Sequence, residues 1–390
     1  MLVFKFLLTF LLFTFLKLES TVNPSSNSDL LDLCTAAPIR NTGCKAASDR
    51  VIEEAKSLTK RASKKRGRPS NDTSCDDLSS TEVTELSGIS TWPRELVYKQ
   101  GSLNSCTANA LVFCIRYLSI RNSSDPKSFI DNPELLSPSR LYLYYNTRYL
   151  EGLIDKEDII KKDTGASIPA SVLALSRYGC CPEKFSDELQ CPLGPIEYGG
   201  WDYSKKLFSV QPTPENYHFA FGHHNGLPSE EPALKDATPN PYKSILTNIH
   251  CVDLCSKYKK KNKRPLTIRQ KNSLIKEFKA VLSRNIPIFY GLAHDKNLDN
   301  DDRGFIPTPD LATFVPADDE LFSTEVHAIV IVGHGKYNPS KPRKNYFKFI
   351  NSWGPDWGNR GFGYLEEKYI TNQRMFCVGG YSIDLEKVEK

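Results

Sequence analysis

The stretch Gln100-Gly101-Ser102-Leu103-Asn104-Ser105-Cys106-Thr107-Ala108-Asn109-Ala110 decides the fold of this chain. A glycine-bearing loop runs into a cysteine, and an apolar helical pattern begins at once. Ala110, Leu111, Phe113, Cys114, Tyr117 and Leu118 recur at i, i+3, i+4 and i+7, one face of a core helix. Cys106 therefore falls in or beside the first turn, where unpaired backbone N–H groups and the helix dipole favour an anion. A thiolate is such an anion, and thiolate rather than thiol is the nucleophile. Taken alone, a cysteine at a helix start is most simply a small core residue, since free cysteine is among the most buried residue types. Two later stretches turn the reading towards chemistry.

Val326 to Val332 and Tyr346 to Ile350 read as strands, joined by a polar turn region from Gly335 to Asn345. Pairing them antiparallel with Val332 opposite Tyr346 puts His327 opposite Asn351. A histidine then stands beside a carboxamide that orients its ring. Cysteine, oriented base and orienting side chain are the parts of an activated nucleophile. A structural histidine at a strand end does not by itself call for an asparagine at the paired position.

Gln100 to Ala110, Val326-His327-Ala328 and Asn351-Ser352-Trp353-Gly354-Pro355-Asp356-Trp357-Gly358-Asn359-Arg360-Gly361-Phe362-Gly363 resemble the three signatures of the papain-like cysteine peptidases. The resemblance spans Trp92 to about Tyr381 and is nearer to divergent relatives with a Gln-Gly-x-x-x-Ser-Cys-Thr-Ala-Asn-Ala motif than to the cathepsins. It implies Cys106 as nucleophile, His327 as general base and acid, Asn351 as orienting residue and Gln100 as a side-chain donor to the oxyanion hole beside the Cys106 N–H. Two donors aimed at a developing oxyanion stabilise the transition state by about 3 kcal/mol each. Trp353 would cover the His327–Asn351 bond. Gly165-Ala166 is the nearest match to the glycine pair whose backbone meets the substrate, and Val326 would flank the bound peptide. The chain departs from the common pattern at Leu103, where relatives carry a disulfide cysteine, at Thr107, where an aromatic is usual, and at Val326, where a glycine often precedes the histidine.

Composition is consistent with this reading without leading to it. The 390 residues are 39% hydrophobic and 25% charged, which is ordinary for a globular protein. Lys plus Arg (51) barely exceed Asp plus Glu (46), so charge argues for no nucleic-acid partner. Leu2 to Leu16 is almost wholly apolar, too short for a comfortable span and of signal-peptide length, with cleavage expected near Ser20. Eleven cysteines suit an oxidising compartment, and ten remain for pairing if Cys106 is free. Asn71-Asp72-Thr73 and Asn122-Ser123-Ser124 fit the N-glycosylation pattern. These features place the chain in the secretory pathway, either secreted or in a lysosome-like or vacuolar compartment.

The expected organisation is a signal peptide at 1–20, a polar extension or pro-segment at 21–90, and a peptidase domain at 91–390 with long insertions near 181–265 and 294–325. The basic run Lys60 to Pro69 reads as a processing site or a solvated charge run. The expected fold is α+β, a helical half carrying the nucleophile facing a β-rich half carrying the histidine and asparagine, with a peptide or protein substrate between them. No metal or organic cofactor is expected, and Cys251-x-x-x-Cys255 has no clear partners for a metal. Other acyl transfer on the same fold, transpeptidation or aminopeptidase trimming, and a non-catalytic binding protein are the alternative classes.

Overall fold

The structure, a computed structural model, describes residues 43–44, 48, 50–55, 83–123, 125–127, 137–183, 203–213, 216–217, 220, 249–255, 266–293, 304–306, 326–341, 343–371 and 379–385. The apolar N-terminal stretch, the basic run at 60–69 and most of the 294–325 insertion lie outside these residues. In chain order the elements are β1 (Gly43–Cys44), β2 (Thr84–Glu85), α1 (Cys106–Asn122), α2 (Arg140–Asp155), α3 (Ile168–Tyr178), β3 (Ile249–Asp253), α4 (Ile268–Ser283), β4 (Ile288–Ala293), β5 (Phe305–Ile306), β6 (Val326–Gly335), β7 (Tyr346–Ile350), β8 (Phe362–Glu366), α5 (Glu367–Thr371) and β9 (Gly379–Leu385). Early helices and late strands make the α+β arrangement that the sequence predicts. No helix among the described residues is long and apolar enough to cross a membrane.

Local chemistry sets the helix boundaries. α1 starts at Cys106 and is buried on every side from Cys106 to Ile120, so it runs through the core rather than along it. The spacing of apolar residues predicts a helix from Pro133 to Leu150, but α2 starts at Arg140. Pro138 disfavours helical backbone before it, and Ser139 caps the helix by accepting the Tyr142 N–H. α3 has Ser167 as its cap and Pro169 in its first turn, and stops at Gly179, whose φ is 63°. The apolar spacing predicts a helix from Ser273 to Ser283, but α4 begins at Ile268 because Thr267 and Gln270 form a capping box. It buries Leu274, Ile275, Phe278, Val281 and Leu282.

The sheet is ordered β3-β9-β4-β6-β7-β8-β5, with β1 and β2 also paired to β6. All ten residues of β6 are buried. β4 covers one side of β6 from Val326 to Ile331, and β7 covers the other from Val330 to Gly335. The predicted pairing of Val332 with Tyr346 is out of step. Tyr346 sits opposite Gly335, and a bulge between Ile331 and Gly333 shifts the register again, so Val330 faces Ile350. His327 therefore lies beyond the last β7 pair, and it meets Asn351 through side chains instead. β1 pairs Gly43 with His327 and Cys44 with Val326. Because β4 already holds the other side there, β1 occupies the edge that β7 has left open. Strands absent from the sequence reading, β1, β2, β3, β5, β8 and β9, complete the sheet.

The boundary at residue 90 also shifts. Glu85 pairs with Gly333 in β2, Leu86 N–H donates to Val332 O at 2.9 Å, and Leu86, Ile89 and Trp92 are core residues. Residues 84–92 thus belong to the folded body. Upstream, residues 50–55 are helical, bury Val51 and Ala55, and lie against the helical half. Ser48 Oγ donates to Asp155 at 2.7 Å, Arg50 reaches Ile154 O, and Glu54 pairs with Arg177. Of the ten cysteines expected to pair, Cys114, Cys180, Cys181 and Cys251 are in no disulfide, nor is Cys106, whereas Cys255 is disulfide-bonded.

Gly358 in the turn before β8 has φ 56°, and a Cβ there would lie 2.5 Å from the Phe362 carbonyl oxygen. That oxygen accepts from Asn359 N–H and closes the turn. Gly358→Ala is expected to cost about 2 kcal/mol. Thermal unfolding of the purified variant checks this, and an unchanged midpoint would contradict it.

Candidate active site

Three segments build the site: the loop before α1, the start of β6 and the stretch after β7. Cys106 is the first residue of α1, fully buried, and its Sγ accepts the Ala328 N–H at 3.4 Å. The nucleophile candidate thus lies against the residue next to His327. His327 Nε2 and Asn351 Oδ1 are 2.7 Å apart. Ser352 N–H donates to the same Asn351 oxygen at 2.8 Å, which identifies that atom as the amide oxygen, an acceptor only. Nε2 therefore carries the proton and donates, leaving Nδ1 free of that bond. The Trp353 ring lies 4.8 Å from the imidazole, centroid to centroid, and Trp357 meets Trp353 edge-on at 5.5 Å. The indole shields the bond from water, which strengthens it.

Gln100 is buried and held at both ends of its side chain. Its Oε1 accepts the Ser352 hydroxyl at 2.6 Å, and its Nε2 donates to Leu103 O at 3.0 Å. One N–H of the amide is thereby used, and the second remains for another acceptor. The backbone is tied as well: Gln100 N–H donates to Ser352 O at 2.8 Å, and Gly354 N–H donates to Tyr98 O at 2.9 Å. The loop before the cysteine and the segment after Asn351 are stitched into one unit.

Gly165 and Ala166 do not present a free glycine-like edge. Both are buried, and the Gly165 N–H donates to the Tyr144 hydroxyl at 3.1 Å. Tyr144 in turn donates to Asp163, whose carboxylate accepts the Asn104 N–H at 3.1 Å. This segment therefore braces the nucleophile loop, with its donor already taken. Val326 is buried, and its backbone faces Cys44 of β1.

The sequence reading missed a buried polar cluster beneath the loop. Arg140 makes a two-pronged pair with Glu183, 2.7 Å from Nε and 2.6 Å from Nη2, and donates to Asn109 Oδ1 at 3.1 Å. Burial works against its charge, but the Glu183 bonds and charge outweigh it and raise the guanidinium above its ordinary value. One signal was legible: a cation at a helix N-terminus opposes the dipole, so it implies a specific partner. The other thiols are poor nucleophile candidates. Burial pushes Cys114 and Cys180 well above the ordinary thiol range, and Cys251 up to about 12. Among the described residues no cluster of His, Cys, Asp and Glu has the makings of a metal site.

The family model described as "Papain family cysteine protease" matches residues 215–377, which hold His327 and Asn351. That match, with the relative that follows, supports a divergent papain-like cysteine peptidase. An uncharacterised peptidase C1-like protein of Acanthamoeba polyphaga mimivirus is 25% identical over 300 residues, 75% of this chain and 71% of the relative. Among solved structures, xylellain, a cysteine protease from Xylella fastidiosa, has TM-score 0.49 at 20% identity and covers 90% of this chain and 99% of its own. A procathepsin B from Trypanosoma congolense has TM-score 0.44 at 15% identity, covering 89% and 88%. The match to a protease family implies a peptide or protein substrate.

The two bonds to Asn351 Oδ1 generate a test. Asn351→Ala removes both and frees the imidazole to rotate, so kcat should fall about 10- to 100-fold with the fold retained. Asn351→Asp keeps both acceptor contacts and should lose less near neutral pH. Equal kcat in wild type and Asn351→Ala would show that His327 needs no orientation.

Proposed function

We propose that Cys106 is the nucleophile, His327 the proton shuttle, Asn351 its orienting residue, and Gln100 with the Cys106 N–H the oxyanion donors. The single observation that carries this reading is the 2.7 Å His327–Asn351 bond formed beside Cys106 at the N-terminus of α1. The Cys106 thiolate attacks the scissile carbonyl carbon, and the carbonyl π pair moves onto the oxygen, where Gln100 and the Cys106 N–H stabilise it. Collapse expels the amine, which takes a proton from His327, and leaves a thioester on Cys106. Water, losing a proton to His327, hydrolyses the thioester and regenerates the thiolate. Trp353 shields the histidine, and Val326 lines the edge beside which the peptide lies. Gly165 and Ala166 act through the loop they brace, by way of Tyr144 and Asp163.

The test is the pair of residues itself. Cys106→Ala should abolish peptide turnover in a folded protein. The wild-type pH profile should be bell-shaped, rising as the thiolate forms and falling as the imidazolium loses its proton. Turnover by Cys106→Ala at the wild-type rate would sink the assignment.

The segment 21–83 is proposed to hold the enzyme latent until it is cut. Cys106 and His327 are both 0% exposed, β1 pairs with the open edge at Val326–His327, and Ser48, Arg50 and Glu54 grip α2 and α3 on the helical half. A strand added to that edge lies where an extended substrate would pair. Cleavage is assigned to 56–82, which contains the basic run, since residues from 84 onward are built into the sheet. The apolar N-terminus and the disulfide at Cys255 support passage through the secretory pathway, and the Asn122-Ser123-Ser124 sequon at the end of α1 is a proposed glycan site. A peptidyl epoxide should label Cys106 at least about 10-fold faster after cleavage within 56–82 than before it. Equal labelling of intact and cut chain would show that the segment is no inhibitor.

A further inference from the structure

We propose that Tyr203, supplied by the insertion rather than by any of the three motifs, is a positioning residue that aligns both oxyanion donors of this site. The proposal rests on the assignment of Gln100 and the Cys106 N–H given above and deepens it.

Each donor is aimed by its backbone. The Ser105–Cys106 peptide is planar and trans, so the Cys106 N–H points opposite to the Ser105 carbonyl. That carbonyl accepts two bonds from Asn109, from its backbone N–H at 3.0 Å and from Nδ2 at 2.9 Å. Asn109 is itself fixed by Arg140 at Oδ1. Whatever holds Arg140 and Asn109 thus holds the Cys106 N–H. Gln100 is fixed at its N–H by Ser352, and its carbonyl oxygen accepts the Tyr203 hydroxyl at 2.8 Å.

Tyr203 joins these two supports. Its single hydroxyl proton goes to Gln100 O, so the Ser105 hydroxyl donates to the phenol oxygen. Ser105 Oγ accepts in turn from Asn109 Nδ2 at 3.1 Å. A directed chain therefore runs Asn109, Ser105, Tyr203, Gln100. The Tyr203 ring lies 3.8 Å from the Arg140 guanidinium carbon, and the Tyr98 ring lies 4.7 Å away, so both rings pack on the cation. One side chain thereby ties the carbonyl of the first donor residue and the Arg140–Asn109 support of the second. Burial raises the phenol above its ordinary value, so it remains a donor across the working range of a thiolate enzyme. The segment is secured on both flanks of the contact: Lys205 Nζ donates to Ser102 Oγ at 3.1 Å, and Arg148 donates to Phe208 O.

Tyr203→Phe separates positioning from folding, because it keeps the ring on Arg140 and deletes the hydroxyl. In the active enzyme kcat should fall about 10-fold with KM within about two-fold, since the interaction lost acts in the transition state. Affinity for a peptide aldehyde, whose thiol adduct places an oxygen in the oxyanion position, should fall by a similar factor. Alkylation of Cys106 by iodoacetamide forms no oxyanion and should keep its wild-type rate. Ser105→Ala, which cuts the same chain one link away, should shift the same two readouts in the same direction. Wild-type kcat and aldehyde affinity in Tyr203→Phe would overturn the proposal. So would equal losses in aldehyde affinity and alkylation rate, which would mark general disorder of the loop. Turnover surviving in Cys106→Ser would overturn the nucleophile assignment instead, and this proposal with it.

Discussion

The pairing of residues 98–100 with residues 352–354 is the constraint on which the site depends. Gln100 N–H to Ser352 O, Gly354 N–H to Tyr98 O and the bridge between Lys99 and Trp353 hold the nucleophile loop against the segment that carries Asn351. Without it, only the packing of α1 on β6 and the Ala328 N–H contact would place Cys106. The same pairing delivers Ser352 to the Gln100 amide and Trp353 to the His327 ring. Catalysis by proximity needs such rigidity, because an error of about 1 Å at the reacting atoms costs about 100-fold. Backbone hydrogen bonds give that precision more cheaply than long side chains, whose rotamers must be frozen one by one.

β6 is the second element of this economy. It is buried along its whole length, yet its first four residues lie past the last β7 pair. That open edge is chemically useful, since it lets a backbone pair beside the histidine. It is also a hazard, because unpaired strand edges recruit other chains. β1 covers it here. One feature thus underlies both the proposed substrate edge and the proposed latency.

The parts legible in the sequence were those governed by local rules. α1, α3 and β7 follow from apolar periodicity with a glycine stop or a polar turn, and the Trp-Gly pattern after Asn351 marks turns that need positive φ. The His327–Asn351 partnership was legible, but its reasoning was partly wrong: the bulge at Ile331–Gly333 slides the register by residues that no local signal announces. β3, β8 and β9 were missed because short strands such as Ile249-His250-Cys251-Val252-Asp253 are defined by remote partners, here β9. Tyr203 was illegible for a similar reason, and so were the partners of Arg140, of which only the misplaced charge at a helix start gave a sign. Their roles come from tertiary contacts between a polar insertion and a helix start, where hydrophobic patterning carries no information.

The acyl-enzyme itself tests the central claim most directly. The active enzyme is mixed with a slowly hydrolysed ester substrate, quenched in acid during turnover and analysed by peptide mass spectrometry. The account predicts the acyl mass on the peptide containing Cys106, lost on mild alkali or hydroxylamine as a thioester is. Acyl mass on any other residue, or turnover with no covalent intermediate when deacylation is made rate-limiting, would contradict it.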